Sequence, residues 1–325
     1  MSPSLDDLER GVLTRDAALL ARAITLVESL LPADRTRAQD LLQRLLPKTG
    51  GAHRIGISGA PGVGKSTFIE AFGTKLCDAG HSVAVLAVDP SSSRTGGSIL
   101  GDKSRMETLA QHPNAYIRPS PSAQTLGGVG RRTRESMLLC EAAGFDVVLI
   151  ETVGVGQSET MVADMVDFFL VLMQPGAGDE LQGIKRGIIE LADCIAINKA
   201  DGKSLPMARE AASAYGAALH YLTPRSEHWT PRALMVSAKE RTGLDELWDL
   251  ITAHRAALEA AGEFSERRRR QLLHWMWNQI EEQLQSGFRT HPEVQSLVGE
   301  AEAAVQRGDA TPAQAAEILL RAFRK

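Results

Sequence analysis

The chain has 325 residues, 43% of them hydrophobic and 23% charged, and a formal net charge of -4. That length fits one large domain with additions, or two domains, and the composition is ordinary for a globular protein with a sizeable core. The acidic balance argues against a general nucleic-acid binder, which carries a basic excess.

Met1 to Gly11 carries Asp6, Asp7 and Glu9 and no apolar core segment, so no secretory signal is expected. Helical spacing of Leu20, Ala23, Ile24, Val27 and Leu31 predicts a first helix. A second helix is expected from Arg37 to Leu46, ending at Pro47 and the glycines Gly50 and Gly51. Residues 1–48 read as an N-terminal helical extension without recognisable chemistry.

From residue 49 to 255, apolar β-branched runs alternate with helical stretches. The expected strands are Arg54–Ser58, Val83–Asp89, Ala115–Ile117, Val147–Glu151, Phe168–Met173, Cys194–Asn198 and Leu234–Ser237. Near-continuous apolar strands between helices imply an α/β fold with a mainly parallel sheet covered on both faces. Ligands of such sheets sit at the carboxyl ends of the strands. Residues 256–325 read as a C-terminal helical extension, with Leu273, Met276, Ile280 and Leu284 on one stripe. The run Arg267 to Arg270 reads as a solvated helix face.

Apolar runs such as Phe168–Met173 are too short to span a bilayer. No membrane partner is therefore expected, and a cytoplasmic location is the expectation for a bacterial protein. The cysteines Cys77, Cys140 and Cys194 follow no metal-ligand spacing and read as small buried hydrophobes.

The clearest chemistry is Gly59-Ala60-Pro61-Gly62-Val63-Gly64-Lys65-Ser66-Thr67, a match to G-x-x-x-x-G-K-[ST] between an expected strand and an expected helix. Glycines let backbone N–H groups turn toward phosphate oxygens, and the helix N-terminus adds a favourable dipole. Lys65 would supply charge at the β- and γ-phosphates, and Ser66 a hydroxyl ligand for Mg2+. Position 60 is Ala, so the variant loop with an early lysine is absent.

Glu151 ends an apolar strand and precedes Thr152-Val153-Gly154, the place where a carboxylate holds magnesium and a glycine N–H senses the γ-phosphate. Gln157 stands three residues after Gly154, not directly after it, so a Ras-type water-positioning role is doubtful for it. Asp89 ends the second strand and is a candidate metal ligand or catalytic acid; its competing reading is a turn residue before Pro90. Asp102, Lys103 and Arg105 lie in a Gly-rich stretch and read equally as site residues or solvated charges.

Asn198-Lys199-Ala200-Asp201 matches N-K-x-D. Asp201 can accept from guanine N1–H and the exocyclic amine that adenine lacks. Ser237-Ala238-Lys239 matches the weaker S-A-K element, whose backbone can meet guanine O6. In this order after a P-loop, these motifs predict GTP/GDP as the nucleotide. A small-molecule P-loop kinase and a metal-delivery GTPase are the alternatives. Guanine selectivity speaks against the first, and the scattered histidines and cysteines against the second.

The chain resembles the MeaB/ArgK-type G proteins, chaperones of adenosylcobalamin-dependent acyl-CoA mutases, chiefly methylmalonyl-CoA mutase. The resemblance is carried by SGAPGVGKST at Ser58–Thr67, VAVLAVDPSSSRTGGSILGDK at Val83–Lys103, IRPSPSAQTLGG at Ile117–Gly128, IETVGVGQSET at Ile150–Thr160, MQPGAGDELQGIK at Met173–Lys185 and the NKAD loop. It implies a fold of the signal-recognition/MinD-related class and a homodimer formed through C-terminal helices. It also implies a role in gating cofactor loading or protecting the mutase, and a switch function for the loop Gln174 to Lys185. Without the resemblance, that loop reads as a Gly-rich surface connection carrying Asp179, Glu180 and Lys185. An arginine-kinase activity gains no support, since no arginine-binding constellation is evident.

Overall fold

The computed structural model describes residues 3–29, 31–88, 106–118, 126–152, 158–176 and 186–324. Two compact units emerge, Met1–Arg269 and Arg270–Lys325.

Among the described residues, the first unit is built on seven strands: β1 His53–Gly59, β2 Val83–Val88, β3 Ala115–Arg118, β4 Val147–Thr152, β5 Phe168–Met173, β6 Cys194–Ile197 and β7 Arg232–Met235. All pair in parallel, in the order β3-β2-β4-β1-β5-β6-β7. Every residue of β4 and β5 is buried, as expected for central parallel strands with both faces covered. The expected strands coincide with these within one residue, except the last, which lies two residues earlier than its apolar pattern suggests.

Helices α1 Leu5–Leu13, α2 Ala17–Glu28 and α3 Pro32–Leu45 precede the sheet. One more helix forms here than the periodicity indicates. Its signal is a capping box: Ser4 accepts from the Asp7 N–H while Asp7 reaches back to the Ser4 N–H. Leu8, Val12, Leu20, Ile24 and Leu41 share one core with Val148, Ile150, Phe169 and Ile195 of the sheet. The N-terminal helices thus serve as one of its covering layers.

The connections supply the rest: α4 Lys65–Asp78, α5 Glu107–Gln111, α6 Leu126–Ala142, α7 Ser158–Ala163, α8 Arg186–Ile189, α9 Leu205–Leu219, α10 Leu244–Ala260 and α11 Glu263–Thr290. On the opposite face, Phe68 and Phe72 of α4 stack at 5.5 Å and pack in a second core with Ile55, Ile57, Leu247 and Ile251. Cys77, Cys140 and Cys194 are buried and free, with burial pushing the Cys77 thiol up to about 11.

The arginine run is a correction to the solvated-face expectation. Arg267 is buried and Arg268 half-buried at the amino ends of the strands, while Arg269 and Arg270 remain exposed. Arg268 pairs with Asp167 at 2.6 Å, and Arg267 Nη1 donates to the Asp167 carbonyl at 2.9 Å. Long-range carboxylates at the strand starts, invisible to local spacing, draw the two guanidinium groups inward.

The second unit contains the end of α11 with α12 Pro292–Arg307 and α13 Pro312–Phe323. Phe288 and Phe323 meet edge to face at 5.4 Å, and Val294, Ala301, Ala315 and Ala322 are buried. Among the described residues, no helix is long and apolar enough to cross a membrane.

Candidate functional site

The strand order brings β1 between β4 and β5, so the turn leaving β1 faces the carboxyl ends of both. That turn is the Gly-rich segment 59–64. Gly64 sits at φ +93, and a Cβ there would meet Asn198 Nδ2 at 3.0 Å. At Gly59 a Cβ would strike the Leu172 carbonyl at 2.5 Å, so only glycine lets the turn lie this close to β5.

α4 begins at Lys65 directly after this turn. Lys65 is buried, and its Nζ donates to the carbonyls of Gly59 at 2.7 Å and Ala60 at 3.2 Å. Burial pushes its ammonium below the usual lysine value, while the nearby Glu151 and Glu159 carboxylates pull it back up. An ammonium resting on two carbonyls inside a ring of backbone turns is arranged to accept an anion.

Ser66 Oγ donates to Glu151 Oε1 at 3.4 Å. β4 places Glu151 opposite Ile57 of β1 and Ala87 of β2, and Thr152 Oγ1 donates to Ser58 Oγ at 3.1 Å, locking the two strand ends. Two hard oxygen donors side by side suit a small divalent cation: adjacent ligands of octahedral magnesium lie roughly 3 Å apart. Among the described residues, no group of three or more His, Cys, Asp or Glu side chains could hold a metal.

The base-loop motifs also converge. Asn198 receives its own N–H support from the Met173 carbonyl at 2.7 Å, and its Nδ2 donates to the Val63 carbonyl at 2.9 Å. Its Oδ1 accepts from the Ala238 N–H at 3.3 Å, tying the P-loop to both base loops. Ser237 Oγ donates to Asp201 Oδ2 at 2.5 Å and orients that carboxylate. Lys199 adopts φ +58, a left-handed conformation uncommon outside glycine, and turns its Nζ onto the Gly62 carbonyl at 2.7 Å. The Lys239 side chain is 79% exposed and pairs only loosely with Glu240 at 3.9 Å, so only its backbone is left for the base loop.

Pro61, Gly62, Val63 and Thr67 lie in or directly beside the same turn, with Val63 buried and Thr67 exposed. Asp89, Asp102, Lys103, Arg105, Gly154, Gln157, Asp179, Glu180 and Lys185 lie outside the described residues. Two neighbours of the site carry no motif signature. Glu159 is buried in the first turn of α7, within electrostatic reach of Lys65, and Gln174 contacts Lys199. Both belong to segments whose resemblance to a family was visible but whose spacing assigns them no role.

A parallel sheet with a strand–glycine turn–helix cradle, a strand-end carboxylate against its hydroxyl and an N-K-x-D loop define a P-loop GTPase. The sequence matches the family described as Methylmalonyl Co-A mutase-associated GTPase MeaB over residues 20–293, and the chain belongs to that family. It is 57% identical over 99% of both chains to a protein of Caulobacter vibrioides named as a GTPase. It is 48% identical to the mouse mitochondrial methylmalonic aciduria type A homolog, over 98% of this chain and 80% of the mouse protein. A solved structure described as LAO/AO transport system kinase superposes with a TM-score of 0.79 at 39% identity, covering 99% of this chain and 98% of that one.

Proposed function

We propose that this GTPase couples GTP hydrolysis to the care of an adenosylcobalamin-dependent acyl-CoA mutase, with methylmalonyl-CoA mutase the foremost candidate. Its output is conformational: it gates cofactor loading and protects the mutase from inactivation. The mutase association rests on the family to which the chain belongs. The hydrolytic reading rests on one observation above others, the convergence of Lys65, Ser66 and Glu151 at the carboxyl ends of β1 and β4.

In this mechanism water attacks the γ-phosphorus in line and GDP leaves. Lys65 exchanges its carbonyl partners for β- and γ-phosphate oxygens, and the backbone N–H groups between Gly59 and Thr67, Pro61 excepted, surround them. Ser66 and Glu151 would hold Mg2+, directly or through water, with Asp89 a third candidate ligand. The ion, when bound, neutralises charge developing between the β- and γ-phosphates. Asp89 or Asp102 orients the water. Asp201 reads guanine through its paired N–H groups, Lys199 lies along the base, and Asn198 with the Ser237-Ala238-Lys239 backbone holds the loops together. A catalytic set completed by the partner makes basal turnover slow.

We further read the protein as a cytoplasmic homodimer. Supporting this, Leu273, Met276, Ile280 and Leu284 form an apolar stripe on α11 whose side chains are all exposed in the single chain. A small-molecule kinase would have little use for the Asp201–Ser237 arrangement. A metal-delivery role lacks a His/Cys cluster among the described residues.

The test is phosphate release from GTP by the purified protein, with and without a stoichiometric methylmalonyl-CoA mutase. Slow basal turnover that rises with the mutase is expected. Turnover unmoved by any adenosylcobalamin-dependent acyl-CoA mutase would refute the partner assignment and leave the GTPase standing.

A further inference from the structure

We infer that Gln174 is a positioning residue of the guanine site: its side-chain carbonyl holds the Lys199 ammonium so that the lysine stem is preset along the plane of the base. This rests on the reading of Asn198 to Asp201 as the base loop.

Among the described residues, Lys199 Nζ donates to the Gly62 carbonyl at 2.7 Å and to Gln174 Oε1 at 3.4 Å. An ammonium only donates, so the amide oxygen and not the nitrogen must face it. The stem between them passes over the P-loop: a Cβ built on Gly64 would stand 3.8 Å from Lys199 Cε. The backbone beneath is committed to this arrangement, since Lys199 holds φ +58 while the Ala200 N–H bonds the Val236 carbonyl at 3.1 Å.

The support is paired along the chain. The carbonyl of Met173, the last residue of β5, accepts from the Asn198 N–H at 2.7 Å, and the next residue, Gln174, accepts from the Lys199 side chain. Consecutive residues at the end of β5 thus seat consecutive residues of the base loop. Lys199 is exposed, so an ammonium held at one point only would sweep through many rotamers. A second acceptor removes that freedom before the base arrives, and preorganisation of this kind improves affinity by lowering the ordering cost.

The effect acts on the base, so it is the same for GDP and GTP and leaves the γ-phosphate chemistry alone. The experiment measures binding of a fluorescent GDP and of a non-hydrolysable GTP analogue, with KM and kcat for GTP, in Gln174→Ala, Gln174→Glu, Lys199→Ala and the Gln174→Ala/Lys199→Ala double variant. Gln174→Ala is expected to weaken both nucleotides by the same factor, roughly 3- to 10-fold, with the loss in KM and not in kcat. Gln174→Glu, which retains an acceptor, binds near the wild-type level. In the Lys199→Ala background, Gln174→Ala adds nothing, because its only route to the base has gone. Additive losses, a fall in kcat, or wild-type affinity for Gln174→Ala would each overturn the inference while Lys199→Ala still binds poorly. If Lys199→Ala itself binds normally, the base-loop reading fails and this inference with it.

Discussion

The two ends of the sheet treat their charged groups in opposite ways. At the amino ends, charge is closed on itself. Arg54 is bound through Nε and Nη2 to Glu141 at 2.9 and 2.8 Å, and its backbone N–H donates to Asp167 Oδ2 at 3.0 Å. Arg268 spans Asp167 with two nitrogens, at 2.8 and 2.6 Å, and reaches the Ala52 carbonyl at 2.8 Å. Burial alone would raise the Asp167 carboxyl, but Arg268 and Arg54 hold it below the ordinary aspartate range. At the carboxyl ends, cations rest on neutral carbonyls: Lys65 on Gly59 and Ala60, Lys199 on Gly62. A cation matched with a buried carboxylate is a structural part. A cation resting on a backbone carbonyl is left available to the ligand: an incoming phosphate can displace the carbonyl from Lys65 at small cost, while Lys199 keeps its stem free to lie along a base.

That contrast breaks if substitutions at the two ends have the same consequence. Lys65→Ala should cut GTP hydrolysis by at least about 100-fold, with little change in thermal stability, because the released carbonyls can take water. Hydrolysis that survives the substitution would remove Lys65 from the chemistry. Arg268→Ala should do the reverse. It strands a buried carboxylate and should cost about 3–5 kcal/mol of stability by denaturant unfolding, with kcat retained below the melting transition. Adding Asp167→Asn should recover part of the loss; a double variant no better than the single one would mean that packing, not charge, is what Arg268 provides.

A subtler effect is expected at the base loop. Asp201→Asn should weaken GTP on the order of 100-fold and shift preference toward xanthosine triphosphate, measured by competition. An unchanged preference would contradict guanine reading by Asp201, however well Ser237 orients it.

The two ends also differ in how far the sequence exposes them. The P-loop, Glu151 and the N-K-x-D loop were legible because each is a local constraint: a glycine where a side chain would collide, a hydroxyl beside a lysine, an acid at the last position of an apolar strand. β4 and β5 were equally legible from unbroken apolar runs. The ion network was not. Arg54 and Glu141 lie 87 residues apart and Arg268 and Asp167 101 apart, and no periodicity links them until the strand order brings their ends together. The same limit hid Gln174, whose partner belongs to another strand's loop. α1 is a different case: it carries both the Ser4/Asp7 cap and a stripe of Leu5, Leu8 and Val12 against the core, but the stripe spans only two turns, too short a window for periodicity alone to identify a helix.

The smallest expected effect tests whether the amino-terminal end is closed to protons as well as to ligands. His53 opens β1, half-buried, with its ring edge-on to Trp248 of α10 at 5.2 Å. Burial and the neighbouring Arg255 push its pKa down to about 4, against the pull of Asp167 and Asp146. The folded ring is therefore neutral where the unfolded one, titrating near 6.5, already binds a proton. A folded value below the unfolded one gives stability that is complete above 6.5 and is lost as pH falls from there toward 4. Allowing for solvent screening at a half-buried ring, the loss by pH 5 is about 1 kcal/mol. His53→Phe keeps an aromatic edge for Trp248 and removes the titration, so its unfolding free energy should fall less than the wild type's between pH 7 and pH 5. Equal falls in the two proteins would assign the acid sensitivity to the carboxylates of the network, Asp167 first among them, and would mean that the closed end of the sheet yields by protonation of its anions.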